Sequence, residues 1–229
     1  MRRRAEFAVI ATTMVLMSHA ALAQSPWYIS GSVGALWRFD ASRSTTFTSS
    51  TGATGPGTDS VTYDPGPFVA VAAGYRLPLG FRIEGEFGYA HYAIANASPL
   101  STDGTFPRLN GNRLSLQSGG DYDSFTGTLN GFYDLPLEGR VIPYIGAGAG
   151  VAHNNAQAAT FAGAGGTPVF SRSSGSTTYA IILAEVGATI AIDDHWSVVP
   201  SYRYEHQFTS GNQFSNDVSI VKLGVRYAF

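Results

Sequence analysis

Cysteine is absent from the 229 residues, which excludes disulfide staples and a lipid anchor carried on a Cys. Charge is scarce: only 13% of residues are Asp, Glu, Lys or Arg, about half the share usual in a soluble domain. Lys222 is the single lysine beside 13 arginines, and no basic cluster occurs after the first four residues. That distribution argues against nucleic acid as a partner. Long apolar runs are also missing beyond the N-terminus. The best candidate, Tyr179 to Ile192, has 14 residues and contains Glu185, whereas a membrane helix needs about 20 apolar residues. No HxxH or HExxH spacing occurs, and His91, His153 and His206 stand apart from one another, so no metal site is expected.

What the chain has instead is 27 glycines, 13% aromatic residues and many serines and threonines. Low charge with this aromatic content argues against disorder, which needs low hydrophobicity and high net charge. One domain is expected at this length.

Residues 1–23 read as a cleaved signal peptide. Arg2, Arg3 and Arg4 form the basic end, Phe7 to Met17 the apolar core, and Ala21-Leu22-Ala23 the small-x-small cleavage site. An uncleaved membrane helix is the alternative, but the apolar run breaks at Ser18-His19. Cleavage leaves Gln24 first and a domain of residues 24–229. Loss of Arg2, Arg3, Arg4 and Glu6 leaves 11 basic and 15 acidic side chains, a formal charge of −4. An exported domain without disulfides can be held by a closed barrel, in which every strand pairs on both sides.

Eight segments alternate with period two, the signature of half-lipid-facing strands. They span residues 27–39, 68–77, 81–94, 122–133, 141–153, 178–192, 196–206 and 218–229. The third is clearest: Phe81, Ile83, Phe87 and Tyr89 face one way, Arg82, Glu84 and Glu86 the other. In the fifth, VIPYIGAGAGVAH, inward Gly146, Gly148 and Gly150 leave room for bulky neighbours inside a narrow barrel. The same GAGAG is no dinucleotide loop, since it lies within a strand and no helix follows. No cofactor is expected.

Short and long connections alternate. Residues 77–80, 134–140 and 193–195 are short turns, while residues 40–67, 95–121 and 154–177 are long and polar, with a shorter polar segment near 207–217. This is the pattern of periplasmic turns and extracellular loops. The Ser/Thr/Gly-rich run Ser42 to Ser60 reads as a mobile loop tip. Trp27, Phe81, Tyr133, Trp196, Tyr227 and Phe229 are expected at one membrane interface, and Trp37, Phe39, Tyr89, Phe125 and Phe208 at the other. The fold class expected is therefore all-β, an eight-stranded antiparallel up-and-down transmembrane β-barrel in contact with outer-membrane lipid. A soluble β-sandwich could also end in an alternating strand, but the export signal and the eight segments weigh against it.

Val221, Leu223, Val225, Tyr227 and Phe229 alternate up to a terminal Phe. This resembles the C-terminal motif that barrel-assembly machinery recognises, which implies that machinery as a partner. FRIEGEFGY (Phe81 to Tyr89), VIPYIGAGAGVA (Val141 to Ala152), SYRYEH (Ser201 to His206) and the terminal VRYAF resemble the small outer-membrane β-barrel superfamily of opacity proteins, P44/Msp4-type surface antigens and OmpA-like barrels. The resemblance implies a bacterial outer-membrane location and says little about activity. A surface-exposed structural, adhesive or antigenic role without catalysis is expected, with a narrow porin-like channel lined by the interior Arg/Glu network as the alternative. The motifs of the resemblance are architectural, and with no peptidoglycan-binding domain expected after the barrel, wall anchoring is not expected to carry over.

The inward positions collect Arg76, Arg82, Glu84, Glu86, Glu185, Arg203, Glu205, Lys222 and Arg226. Buried charge has to be paired, so a salt-bridge network is expected. An eight-stranded lumen is just wide enough for side chains to fill, which favours a plug over a charged, gated pore. A Ser/His/Glu set like that of lipid A deacylases could be sought in Ser197, His195 and Glu205. Eight residues at roughly 3.3 Å each separate Glu205 from Ser197 along one strand, so the three do not converge. Asp193-Asp194 reads as a turn cap rather than a calcium site. The long polar loops are left as the place for a host or surface ligand; the ligand and the oligomeric state are not encoded in their generic composition.

Overall fold

Alternation of apolar and polar side chains over ten or more residues lets a strand put one face in lipid and the other in an enclosed interior. In the computed structural model, which describes residues 25–48, 52–107, 109–163, 166, 168–208 and 216–229, this pattern becomes a closed ring. The expected signal peptide, residues 1–23, lies outside the described residues, as does most of the fourth long connection.

The strands in chain order are β1 (Trp27–Arg38), β2 (Ala41–Thr48), β3 (Thr54–Tyr63), β4 (Gly66–Arg76), β5 (Phe81–Ser101), β6 (Leu114–Gly119), β7 (Asp121–Asp134), β8 (Val141–Ala156), β9 (Ala159–Ala162), β10 (Pro168–Arg172), β11 (Gly175–Ala191), β12 (Trp196–Phe208) and β13 (Asn216–Ala228). Eight of them form the barrel. Going round it, β1 pairs β4, β4 pairs β5, β5 pairs β7, and β7, β8, β11, β12 and β13 follow. β13 then pairs back onto β1, Ile29 opposite Tyr227, and every one of these pairings is antiparallel. The eight segments expected from the sequence are these eight strands, with ends shifted by a few residues except in β5.

Outward positions are apolar and exposed, as a lipid-facing surface requires: Val71, Leu129, Ile145 and Leu223 are all more than half exposed. Aromatic rings gather at both ends of the wall. At the short-turn end Phe81 meets Tyr133 and Trp196 meets Tyr227, each at 4.9 Å between centroids; at the other end Tyr89 meets Phe125 at 5.1 Å. In the turn between β4 and β5, Leu79 and Gly80 take left-handed backbone, with φ of 65° and 82°.

The long-connection end differs from expectation. The run Ser42 to Ser60 is not a loose tip: its described residues form the β2–β3 hairpin, in register from Ala41 opposite Val61 to Thr48 opposite Thr54. β5 does not stop near Ile94 but continues to Ser101, and the extension carries β3 on one edge and β6 on the other. β6 pairs β9 and β9 pairs β10, so three long connections join in one sheet above the rim. The reason is packing. Val61, Ile94, Ala97, Leu114, Ala159 and Phe161 form a buried apolar cluster there, with Phe170 and Tyr122 against it. Few apolar residues, widely spaced among Ser, Thr and Gly, suffice once strands from three connections pool them.

Candidate functional site

Inward residues fill the barrel in layers. At mid-height Glu86 of β5, Glu185 of β11, Arg203 of β12 and Lys222 of β13 form one cluster. Arg203 reaches Glu86 at 2.5 Å and Glu185 at 2.9 Å, and Lys222 lies 3.0 Å from both carboxylates. The Tyr144 hydroxyl donates to Glu185 at 2.9 Å. Two cations alternate with two anions, and Arg203 is fully buried. Such a cluster is tolerated in a low-dielectric interior only because each charge is answered. It realises part of the salt-bridge network expected of the inward positions. Four of the nine charges meet here, Arg82 pairs instead with Asp134, and Glu84, Glu205 and Arg226 enter no ion pair among the described residues.

Toward the short turns lies a second layer, built of guanidinium and aromatic groups. Arg82 pairs with Asp134 at 2.9 Å, donates to the Tyr28 hydroxyl at 3.2 Å, and stacks 4.6 Å from the Phe132 centroid. Arg226 sits 4.6 Å over Tyr28 and donates to Thr189 at 3.1 Å. Room for these rings comes from glycine. A Cβ on Gly146 would stand 2.1 Å from Phe132, and one on Gly74 would stand 2.1 Å from Tyr28. The first accommodation follows the GAGAG reading; the second was missed, because an isolated glycine in a strand carries no such signal.

Toward the long connections the interior becomes apolar on one side, where Leu36, Phe68, Tyr92, Val218 and Ile220 pack together. On the other side runs a polar chain: Ser124 to Asn154 at 2.6 Å, Asn154 to Gln207 at 3.2 Å, and Gln207 to Glu205 at 3.2 Å. Glu205 belongs to this chain rather than to the central ion cluster.

Above these layers and beneath the loop sheet opens a cavity of about 1240 Å³. Arg38, Tyr63, Tyr122 and Tyr179 line it together with Asp59 and Arg172 of the connections. The inward placement of Arg38 is legible from β1 alternation. Asp59 and Arg172 had no such signal, because the loop pairing that brings them inward is not periodic in sequence.

The remaining candidates stay apart. His195 is exposed in the β11–β12 turn, Ser197 is buried at the base of β12, and Glu205 lies in the polar chain near the other end. His91, His153 and His206 point outward at the long-connection end, where they meet Asp123 at 3.0 Å, Thr178 at 2.9 Å and Asp217 at 2.7 Å respectively. Among the described residues no three His, Cys, Asp or Glu side chains are placed to hold a metal. Asp193 caps its turn: its carboxylate accepts the backbone N–H of Trp196 and of His195, each at 2.8 Å, and these bonds hold its pKa below the ordinary aspartate value.

Comparison with known proteins agrees with this geometry. A family model described as "Outer membrane protein beta-barrel domain" matches residues 7–229. No curated protein matches the sequence. Among solved structures, OprG from Pseudomonas aeruginosa is similar with a TM-score of 0.54 at 15% identity, over 90% of this chain and 97% of that one. The outer membrane protease OmpT from Escherichia coli has a TM-score of 0.53 at 11% identity, over 91% of this chain and 99% of that one. Neisserial surface protein A has a TM-score of 0.50 at 16% identity, over 90% and 99%. At these identities the likeness is one of fold.

Proposed function

This chain belongs to the outer membrane β-barrel protein family, and we propose that within it the protein is a non-conducting, surface-exposed barrel whose long connections carry a structural, adhesive or antigenic role. The barrel resides in the bacterial outer membrane. In this reading the short turns and both chain ends face the periplasm, the loop sheet faces the environment, residues 1–23 are removed on export, and assembly machinery engages the strand ending in Phe229. No catalysis is assigned.

The observation that carries the proposal is the contrast between the two ends of a filled lumen. The short turns do little beyond joining strands, while three long connections build a sheet with its own apolar cluster. Beneath it the four-charge cluster crosses the interior. A display surface over a plugged barrel matches both features.

Single-channel recording of the refolded barrel tests the non-conducting part. A silent bilayer with the barrel folded, as judged by heat-modifiable gel mobility, is the expected result. Steady openings altered by Arg203→Ala would replace it with a narrow channel lined by the arginine–glutamate network. Loop grafting tests the contact role. Because β3 pairs β5 and β6 pairs β9, grafting the three connections together onto another barrel should transfer surface binding. Failure of the joint graft to bind any surface that the parent binds overturns the adhesive reading.

A further inference from the structure

We infer that the cavity under the loop sheet is a binding site for a small organic anion with a flat aromatic body, such as an aryl carboxylate. The inference needs only the barrel and its loop sheet, and stands apart from the adhesive role of the outer loop surface.

The charge comes from Arg38. This residue is nine-tenths buried and lines the cavity. Its guanidinium lies 5.1 Å from the Tyr63 centroid and 5.5 Å from that of Tyr92, and Nη1 donates to the Tyr92 hydroxyl. Nε finds no acceptor among the described residues. Arg82, Arg203 and Lys222 each face a carboxylate within 3.0 Å, whereas Arg38 and Arg226 make no ion pair among the described residues; of these two, Arg38 is the one that lines the cavity. The carboxylate of Glu205 accepts from Gln207 at 3.2 Å and acts on Arg38 electrostatically, without forming an ion pair with it. Arg172, the second cation on the wall, stands 3.9 Å from the buried Asp59. A buried cation held on tyrosine faces with no ion-pair partner gains from the arrival of an anion.

The shape comes from the rings. Tyr63 and Tyr122 line the cavity, and Tyr92 of the apolar cluster supports them: it stacks on Tyr122 at 5.3 Å with planes 8° apart, and Tyr63 stands edge-on to both. Higher up, Phe47 packs at 90° to Phe170 across the cavity wall. Aromatic walls with one or two placed charges are the usual make-up of a small-molecule site. Guanidinium forks suit a carboxylate or sulfonate, and tyrosine and phenylalanine faces suit a planar ring. The filled layers below close the floor, so a ligand entering between the loops stays rather than passes.

The experiment is calorimetric titration of the purified chain in lipid nanodiscs with 2-naphthoate and with its neutral counterpart, 2-naphthalenemethanol. Empty nanodiscs correct for partition into lipid. Saturable one-to-one binding of the acid is expected, with the alcohol weaker. Arg38→Gln should weaken the acid by about tenfold or more and leave the alcohol unchanged, the loss expected for a hydrogen bond to a charged group. Uptake of the acid no greater than that of empty nanodiscs, equal binding of acid and alcohol, or a folded Arg38→Gln that binds the acid normally would each overturn the inference. Should Arg38→Gln fail to fold, Arg38→Lys decides, because it keeps the charge and loses the guanidinium fork. Acid binding must weaken while alcohol binding does not, and unchanged acid binding overturns the inference.

Discussion

Glu86 and Arg203 belong to β5 and β12, strands that lie opposite each other in the ring with three strands between them on either side, yet their side chains meet at 2.5 Å. One ion pair therefore spans the full width of the lumen, and Lys222 and Glu185 brace it from the strands beside β12. The pair acts as a crossbeam as well as a plug.

Loss of one member should be severe. Arg203→Ala leaves Glu86 and Glu185 with Lys222 alone, and breaking a buried pair costs about 3–5 kcal/mol. Urea unfolding in bilayers should register that loss. A double-mutant cycle of Arg203→Ala with Glu86→Gln should show the two changes to be strongly non-additive, because they remove the same contact. Additive losses would mean that the crossbeam contributes no coupling.

Glycines on the two faces of the wall should respond in opposite ways. A Cβ at Gly146 would meet Phe132 at 2.1 Å, while one at outward Gly127 meets nothing within 4 Å. Gly146→Ala should therefore destabilise by about 1–3 kcal/mol through overpacking, and Gly127→Ala should be neutral or mildly stabilising. Phe132→Leu in the Gly146→Ala background should recover part of the loss. These are unfolding free energies read on three variants.

Charge placed on the outer wall should map the membrane. Leu129 is outward and 69% exposed in the middle of β7, so Leu129→Arg should cost about 2–4 kcal/mol. His91→Arg, at the level where outward side chains turn polar and meet Asp123, should cost about 0–1 kcal/mol on the same depth scale. Similar costs at both positions would place the lipid boundary elsewhere.

The β11–β12 turn should loosen in acid. Asp193 is held below the ordinary aspartate pKa because its ionised carboxylate accepts the Trp196 and His195 amides. A depressed folded-state pKa means the stabilisation is present above the unfolded value and is lost as pH falls through the folded one. The Trp196 amide resonance should titrate with a midpoint below the ordinary aspartate value, and Asp193→Asn should abolish that titration. A midpoint at or above the ordinary value would contradict the capping geometry.

Much of this protein is legible residue by residue. Period-two alternation placed all eight barrel strands and sorted Arg82, Glu86, Glu185, Arg203 and Lys222 to the interior, because the face a side chain takes is a local property of extended backbone. The aromatic ends, the alternating connection lengths and the room made by Gly146 are local in the same sense. Which inward charges meet is not local. Glu86 finds Arg203 only because ring closure and strand tilt set how far each strand is displaced from its neighbour, and no single strand carries that quantity. The same holds above the rim, where Arg38, Asp59 and Arg172 come to one cavity through pairings among three connections whose scattered apolar residues show no period. Sequence by itself determined the strands and their faces. Closure of the sheet, a property of all eight strands together, decided what those faces enclose.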